Sequence, residues 1–232
     1  MILKNLSFKV QSGEKVGVVG RTGAGKSSVA MAISRIVEAE SGQIQYGGHK
    51  TSTVKLSHLR ENITVISQES VLFKGTLRSN LDPHQAHSSQ ELIAVLNDAG
   101  LQSLIERSIK EASNDTHKQV KELSLQISEG GLNLSVGERQ LVCIARACLR
   151  AKHSKLYVLD EATASIDVVA EQKVLNLLKN RLRDATVITI AHRLNTVMDS
   201  DKILVIDDGR AAEFGPPQAL LQDKSSRFYQ LV

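Results

Sequence analysis

Residues 15–28 read KVGVVGRTGAGKSS. Val16, Val18 and Val19 make a short apolar run, and Gly20 opens an abrupt change to glycine, hydroxyl and cationic side chains. Gly20-Arg21-Thr22-Gly23-Ala24-Gly25-Lys26-Ser27 satisfies the pattern G-x-x-x-x-G-K-[ST], and Ser28 follows it. Glycines at these positions let backbone N–H groups turn inward around phosphate oxygens. The apolar stretch Val29 to Val37 predicts a helix whose positive end points at the same place. Lys26 is expected to reach the β- and γ-phosphates, and Ser27 to ligate Mg²⁺ through its hydroxyl.

Three more short apolar runs end in polar residues. Ile63 to Ser67 leads into Gln68, Lys155 to Leu159 into Asp160-Glu161, and Thr186 to Ile190 into Ala191-His192. Nearly continuous apolar runs of this length read as strands buried on both faces of a parallel sheet. Ligands of such sheets gather at the carboxyl ends of the strands. Here those ends carry glycine, lysine, serine, glutamine, two acids and a histidine. Asp160 can hold Mg²⁺ directly or through water, and Glu161 can orient and deprotonate an attacking water. His192 can donate a hydrogen bond to a terminal phosphate. The neutral amide of Gln68 can contact both metal and water.

Elsewhere the pattern changes. Leu6, Phe8 and Val10 alternate with polar neighbours, as in a half-buried strand. Lys202 to Ile206 and Ala211 to Phe214 flank Asp207-Asp208-Gly209-Arg210, a hairpin with an Asp-Gly turn. From Ser88 to about Arg150 the periodicity is helical. Leu92, Ile93, Val95, Leu96 and Ala99 form one face; Leu101, Leu104, Ile105 and Ile109 form another. Glu111 to Lys121 reads as a loop, and Pro216-Pro217 starts a short terminal helix. The expected fold is α/β: a P-loop NTPase core with a mainly parallel sheet, an N-terminal antiparallel β portion and a helical subdomain. Residues 1–80 and 151–232 would form the core, and residues 81–150 the subdomain.

The bulk numbers fit such a domain. The 232 residues are 41% hydrophobic, 23% charged and only 3% aromatic, so Leu, Ile and Val must fill the core. Net charge is +4 and the pI about 9.1, but the basic residues are scattered and lack stacking aromatics, which argues against a nucleic-acid partner. Cys143 and Cys148 lie in an apolar stretch without metal-ligand spacing and read as buried free thiols of a reducing compartment. No apolar run approaches the roughly 18 residues of a membrane span, so the chain itself is expected to be soluble.

Leu134-Ser135-Val136-Gly137-Glu138-Arg139-Gln140 precedes the apolar helix Leu141 to Leu149. With this segment the chain resembles the nucleotide-binding domain of ABC transporters over nearly its whole length and in the family's motif order. GRTGAGKS is similar to the Walker A loop, Gln68 to the Q-loop glutamine and LSVGE to the LSGGQ signature. LYVLDE is similar to Walker B with its catalytic glutamate, Ser165-Ile166-Asp167 to the D-loop, and His192 to the switch histidine. Phe73 to Pro83 resembles the C subfamily, the multidrug-resistance-associated exporters, and best its second nucleotide-binding domain. Glu161 agrees, since first domains there often carry Asp at that place.

The resemblance implies a mechanism. Two such domains, identical or siblings, pack head to tail with ATP and Mg²⁺ between the Walker A loop of one and the signature of the other. Ser135, Val136, Gly137 and Glu138 would serve the partner's ATP. Hydrolysis releases the pair and resets attached transmembrane domains, which places the chain on the cytoplasmic face of a membrane. Two alternatives remain open: a soluble ABC ATPase without membrane domains, and a regulatory module that binds ATP without turnover.

The sequence departs from the family at several points. The signature ends in Glu138 where Gln is usual; Ser135-x-x-Glu138 also reads as a capping box, the favoured explanation. Val136 replaces a glycine, as second domains of this subfamily also do. Ser67 replaces the proline that commonly precedes the Q-loop glutamine. The family's adenine-stacking aromatic lies upstream of Met1, so the chain is expected to be a fragment or a truncated gene model. Phe8 is expected in the core, not on adenine.

Overall fold

The computed structural model describes residues 2–113, 123–191 and 193–232. They divide into two compact units. The first gathers Met1–Val65, His153–Glu161 and Asp184–Val232, and the second Ile66–Lys152 and Ala162–Arg183.

In the first unit the chain forms β1 (Lys15–Val19), α1 (Lys26–Ile33), a small antiparallel pair of β2 (Gln45–Tyr46) and β3 (His49–Lys50), and α2 (Leu56–Asn62). These are followed by β4 (Ile63–Ile66), which runs into the second unit. In the second unit come β5 (Gly75–Thr76), α3 (Leu77–Leu81), α4 (Ser89–Asp98), α5 (Gln102–Ser113), β6 (Gln126–Ile127) and α6 (Val136–Leu149). Next are β7 (Leu156–Asp160) in the first unit and α7 (Val168–Arg181) in the second. The first unit then closes with β8 (Thr186–Ile190), β9 (Lys202–Asp207), β10 (Arg210–Gly215), α8 (Pro217–Gln222) and α9 (Arg227–Leu231).

The main sheet has six strands in the order β10-β9-β1-β8-β7-β4. β1 pairs in parallel with β8 and β9, and β7 pairs in parallel with β8; β10 closes the edge antiparallel to β9. The apolar runs become strands because their residues are buried whichever way they point: Val16, Val18, Val19, Val158, Ile188, Ile190, Leu204 and Ile206 are all at most 3% exposed. One cluster on the sheet includes Val18, Val29, Ile33, Val158 and Ile190; another joins Val19, Val197, Ile203, Val205 and Phe228. The hairpin turn has Asp208 at φ 45° and Gly209 at φ 75°, the pair of positive values a tight two-residue turn requires.

Three expectations change. Among the described residues no ladder strand precedes β1. Leu6, Phe8 and Val10 instead pack as half-buried side chains on the sheet's core cluster, so their alternation records burial without strand pairing. Phe8 tilts against Phe214 with ring centroids 6.0 Å apart, a core position. Secondly, α1 stops at Ile33 and not at Val37. Arg35 adopts φ 49°, Ile36 N–H returns to Met31 O at 2.9 Å, and Arg35 N–H returns to Ala32 O at 3.1 Å. This closure satisfies the last carbonyls and leaves Ile36 and Val37 exposed. Thirdly, Ile109 is exposed although Leu101 and Leu104 of the same stripe are buried. Of the expected loop, Glu111 to Ser113 continue α5, and the rest lies outside the described residues.

The second unit is helical as its periodicity implies. Leu92, Val95, Leu96, Ala99 and Leu104 are buried, and α6 packs on α3, α4 and α7. Reciprocal capping boxes start α3 (Thr76/Ser79), α4 (Ser88/Glu91) and α6 (Ser135/Glu138), satisfying N–H groups that helix starts otherwise leave unpaired. No helix among the described residues is long and apolar enough to cross a membrane.

Candidate functional site

β1 ends at Val19 and the chain enters the glycine loop. At Gly20 a Cβ would run into the backbone carbonyl of Ile206, so no side chain fits there. Ala24 N–H closes a turn onto Arg21 O at 3.1 Å, and Ala24 O accepts from Gly209 N–H at 3.1 Å, which ties the loop to the β9–β10 turn. Gly25 caps α1 with φ 105°, a left-handed conformation in which a Cβ would also lie 2.8 Å from Leu3 Cδ2. Arg21, Thr22, Gly23 and Ser27 are exposed, Ala24 is buried and Ser28 is intermediate. The first turn of α1 contains no acidic residue, which suits an anion at its positive end.

Lys26 is 6% exposed. Its Nζ donates to Gly20 O at 2.8 Å and to Arg21 O at 3.2 Å, so the cation sits inside the ring made by its own loop. Burial pulls its pKa below the ordinary lysine value, and the nearby Glu161 and Asp160 carboxylates act in the opposite direction.

The two acids stand where β7 ends. Ser27 Oγ donates to Asp160 Oδ1 at 3.3 Å. These two oxygens are hard ligands of the kind Mg²⁺ takes, and Gly23, with φ 81° and open space where a Cβ would stand, leaves room for phosphate. Glu161 N–H donates to Ile190 O at 3.0 Å, and Glu161 itself has φ 50°. A positive φ on a residue with a long side chain stores about 1–2 kcal/mol of strain; on one side of Glu161 the β7–β8 ladder, which ends at Asp160, fixes the chain. His192 lies outside the described residues; its neighbour Ala191 donates to Val18 O at 3.2 Å, so β8 reaches the sheet edge beside β1.

Gln68 and the signature residues belong to the second unit. Gln68 is exposed, and Ser67 Oγ beside it donates to Glu69 O at 2.8 Å, a turn that proline could not make in this way. Ser135 Oγ accepts from Glu138 N–H at 3.1 Å, and Glu138 Oε2 accepts from Ser135 N–H at 2.8 Å. Glu138 Oε1 also lies 3.5 Å from Arg107 Nη1. The carboxylate is therefore spent on the cap and on a cation, as the spacing suggested. Val136 is 54% exposed at the head of α6, and Gly137 faces Ser165 O.

Sequence reasoning passed over two buried polar groups. Gln140 is 1% exposed and bonds backbone in two other segments, described below. Glu171 is 6% exposed and accepts from Thr163 Oγ1 at 2.8 Å. The available signal was a polar residue inside an otherwise apolar helical face: Gln140 shares its stripe with Leu141, Ile144 and Ala147, all buried.

Comparison with known proteins gives the same picture. The family model described as "ABC transporter" matches residues 3–164. ATP-binding cassette sub-family C member 2 of Rattus norvegicus is 45% identical over 232 residues, covering 100% of this chain and 14% of that protein. Bile pigment transporter 1 of Saccharomyces cerevisiae is 43% identical over 236 residues, covering 99% of this chain and 15% of that protein. The chain thus spans about one seventh of the length of these relatives. The solved structure of a bacterial Atm1-family ABC exporter with ATP bound superimposes with a TM-score of 0.86 at 34% identity, covering 99% of this chain and 38% of that one. With the glycine loop, the two acids at the end of β7 and the signature cap all in place, the chain belongs to the ABC transporter family as a nucleotide-binding domain.

Proposed function

We propose that this chain binds Mg²⁺ and ATP and hydrolyses the ATP, and that it does so as the motor of a C-type exporter. The observation that carries the reading is the grouping of Lys26, Ser27 and Asp160 at one sheet edge, with Ser27 Oγ 3.3 Å from Asp160 Oδ1. The backbone of Gly20 to Ser28 and Lys26 would hold the phosphates. Lys26 would exchange its two carbonyl partners for phosphate oxygens. Ser27 and Asp160, with Gln68, would hold Mg²⁺, which neutralises phosphate charge when bound. Glu161 would take the proton of the attacking water, and His192 would steady the terminal phosphate.

Ser135, Val136, Gly137 and Glu138 would act on the nucleotide of a second nucleotide-binding domain, in a head-to-tail pair. The exposure of Val136 at the head of α6 supports this. Transmembrane domains are the second expected partner, on the cytoplasmic side of the membrane; the names of the relatives support it. The segment Phe73 to Pro83, with Glu161, supports a position equivalent to the second nucleotide-binding domain of C-type exporters. The core over residues 1–80 and 151–232 would carry Walker A and B, and the helical residues 81–150 the signature.

The test pairs two variants. Glu161→Gln should retain ATP binding and accumulate an ATP-bound dimer while steady-state hydrolysis falls at least about 100-fold, the scale of a lost general base. Lys26→Ala should lose ATP binding itself. Normal hydrolysis in the first, or normal binding in the second, would overturn the assignment.

A further inference from the structure

Gln140 lies in α6, two residues beyond the signature, and both atoms of its amide are engaged. Nε2 donates to Ala162 O at 2.7 Å and, more weakly, to Ser67 O at 3.4 Å. Oε1 accepts a hydrogen bond from Ser70 Oγ. Ser67 directly precedes Gln68, Ser70 follows it by two residues, and Ala162 directly follows Glu161. One buried side chain therefore holds backbone adjoining both the residue assigned to metal and water and the residue assigned as base.

The segments it holds are irregular. Ser67 follows the last residue of β4, and Ala162 follows β7 by two residues, so the strand ladders do not cover these carbonyls. Only a primary amide of this length offers two N–H donors and a carbonyl acceptor at once. A carboxylate would set its oxygens against two carbonyl oxygens. A thioether of similar shape would leave the carbonyls and the Ser70 hydroxyl without their buried partner. A merely space-filling position in a helix packed on three others would take leucine.

We propose that Gln140 is a positioning residue for ATP hydrolysis, clamping the Ser67–Ser70 segment and the Ala162 backbone to the signature helix and so fixing the backbone that adjoins Gln68 and Glu161. The idea rests on the ATPase reading above.

The experiment uses the 232-residue chain and compares Gln140→Met, Gln140→Glu, Ser70→Ala and the Gln140→Met/Ser70→Ala double variant, with Glu161→Gln as a control for the ATPase reading. Steady-state kcat and KM for MgATP, the Kd of a non-hydrolysable ATP analogue, thermal midpoints and amide hydrogen exchange are measured. The expected result is a fall in kcat of about 10- to 100-fold in both Gln140 variants, the scale of a sub-ångström to 1 Å misplacement, with Kd changed less than about twofold. Exchange should rise together in residues 67–70 and 162–165. Ser70→Ala should show a smaller fall, and it should add nothing in the Gln140→Met background, because the same bond is already gone. An unchanged kcat, a loss of ATP binding equal to the loss of kcat, or multiplying effects in the double variant would overturn the proposal. If the parent chain shows no hydrolysis, or if Glu161→Gln leaves it intact, the ATPase reading has failed. The exchange data then decide the clamp alone: rising exchange in only one segment, or in neither, refutes it.

Discussion

Ser27 Oγ donates to Asp160 Oδ1 across 3.3 Å, joining the first turn of α1 to the carboxyl end of β7. The two residues are far apart in sequence and meet because α1 packs on β7 within one unit. A cation placed against both would be held by a neutral hydroxyl and one carboxylate, with phosphate supplying the remaining negative charge. That donor set favours Mg²⁺ only when nucleotide is present.

Losing the Ser27 hydroxyl or the Asp160 charge should therefore change the metal requirement more than the fold. Ser27→Ala and Asp160→Asn are each expected to raise the Mg²⁺ concentration for half-maximal ATP binding by about 10- to 100-fold, the range seen when a metal site loses one supporting group. A Mg²⁺ titration of nucleotide binding, with circular dichroism to confirm the fold, measures this.

The buried Lys26 predicts an alkaline limit. Its pKa is depressed mainly by burial, so the folded chain releases this proton at a lower pH than the unfolded chain does. Below the folded pKa the buried charge is a full penalty on stability. As pH rises from there towards the ordinary lysine value that penalty is relieved, and Lys26 makes stability increase. ATP affinity should run the other way, because neutral lysine no longer attracts phosphate. Affinity in the parent should weaken on the alkaline side earlier than a solvated lysine would allow, and Lys26→Arg should push the decline to higher pH. Binding titrations over pH 7 to about 10.5 test the direction.

The φ of 50° at Glu161 predicts a trade between stability and turnover. Glu161→Gly removes the Cβ that makes this conformation unfavourable, and should raise stability by up to about 1 kcal/mol after the extra chain entropy of glycine is subtracted. The same change should abolish hydrolysis. Denaturant melting and an ATPase assay on one preparation read both.

Glu138 holds the start of α6. Glu138→Ala removes one half of the capping box and the Arg107 partner, and should cost about 0.5–2 kcal/mol. Glu138→Gln keeps the acceptor for Ser135 N–H and should stay within about 0.5 kcal/mol of the parent. Equal losses in the two variants would mean that the ion pair with Arg107, rather than the cap, holds the helix start.

Much of this was legible in the residues. The valine-rich runs could only be strands covered on both faces, and Asp208-Gly209 could only be a tight turn. What stayed hidden was pairing and backbone conformation. Leu6, Phe8 and Val10 alternate because one side of the segment packs on the core, and alternation carries no information about whether a neighbouring strand is bonded to it. The apolar Ile36 and Val37 looked like more helix, because the chain reversal at Arg35 is a backbone event that a basic residue does not announce. At the candidate site, Lys26, Ser27, Asp160 and Glu161 could be read from spacing at strand ends. Gln140 could not, since its partners are two main-chain carbonyls and one serine hydroxyl of two distant segments. The strain at Glu161 was equally invisible, because a glutamate in sequence does not announce a positive φ.

The sheet order has a consequence for synthesis on the ribosome. β1 is made before both of the strands that flank it among the described residues, β8 and β9, and the loop that follows it is tied through Ala24 to Gly209. A nascent chain that has emerged as far as Ser200 still has an unpaired side to β1 and a glycine loop without its anchor. The nucleotide loop is thus made well before it can take its final shape, which the growing chain completes only when the β9–β10 turn has left the exit tunnel.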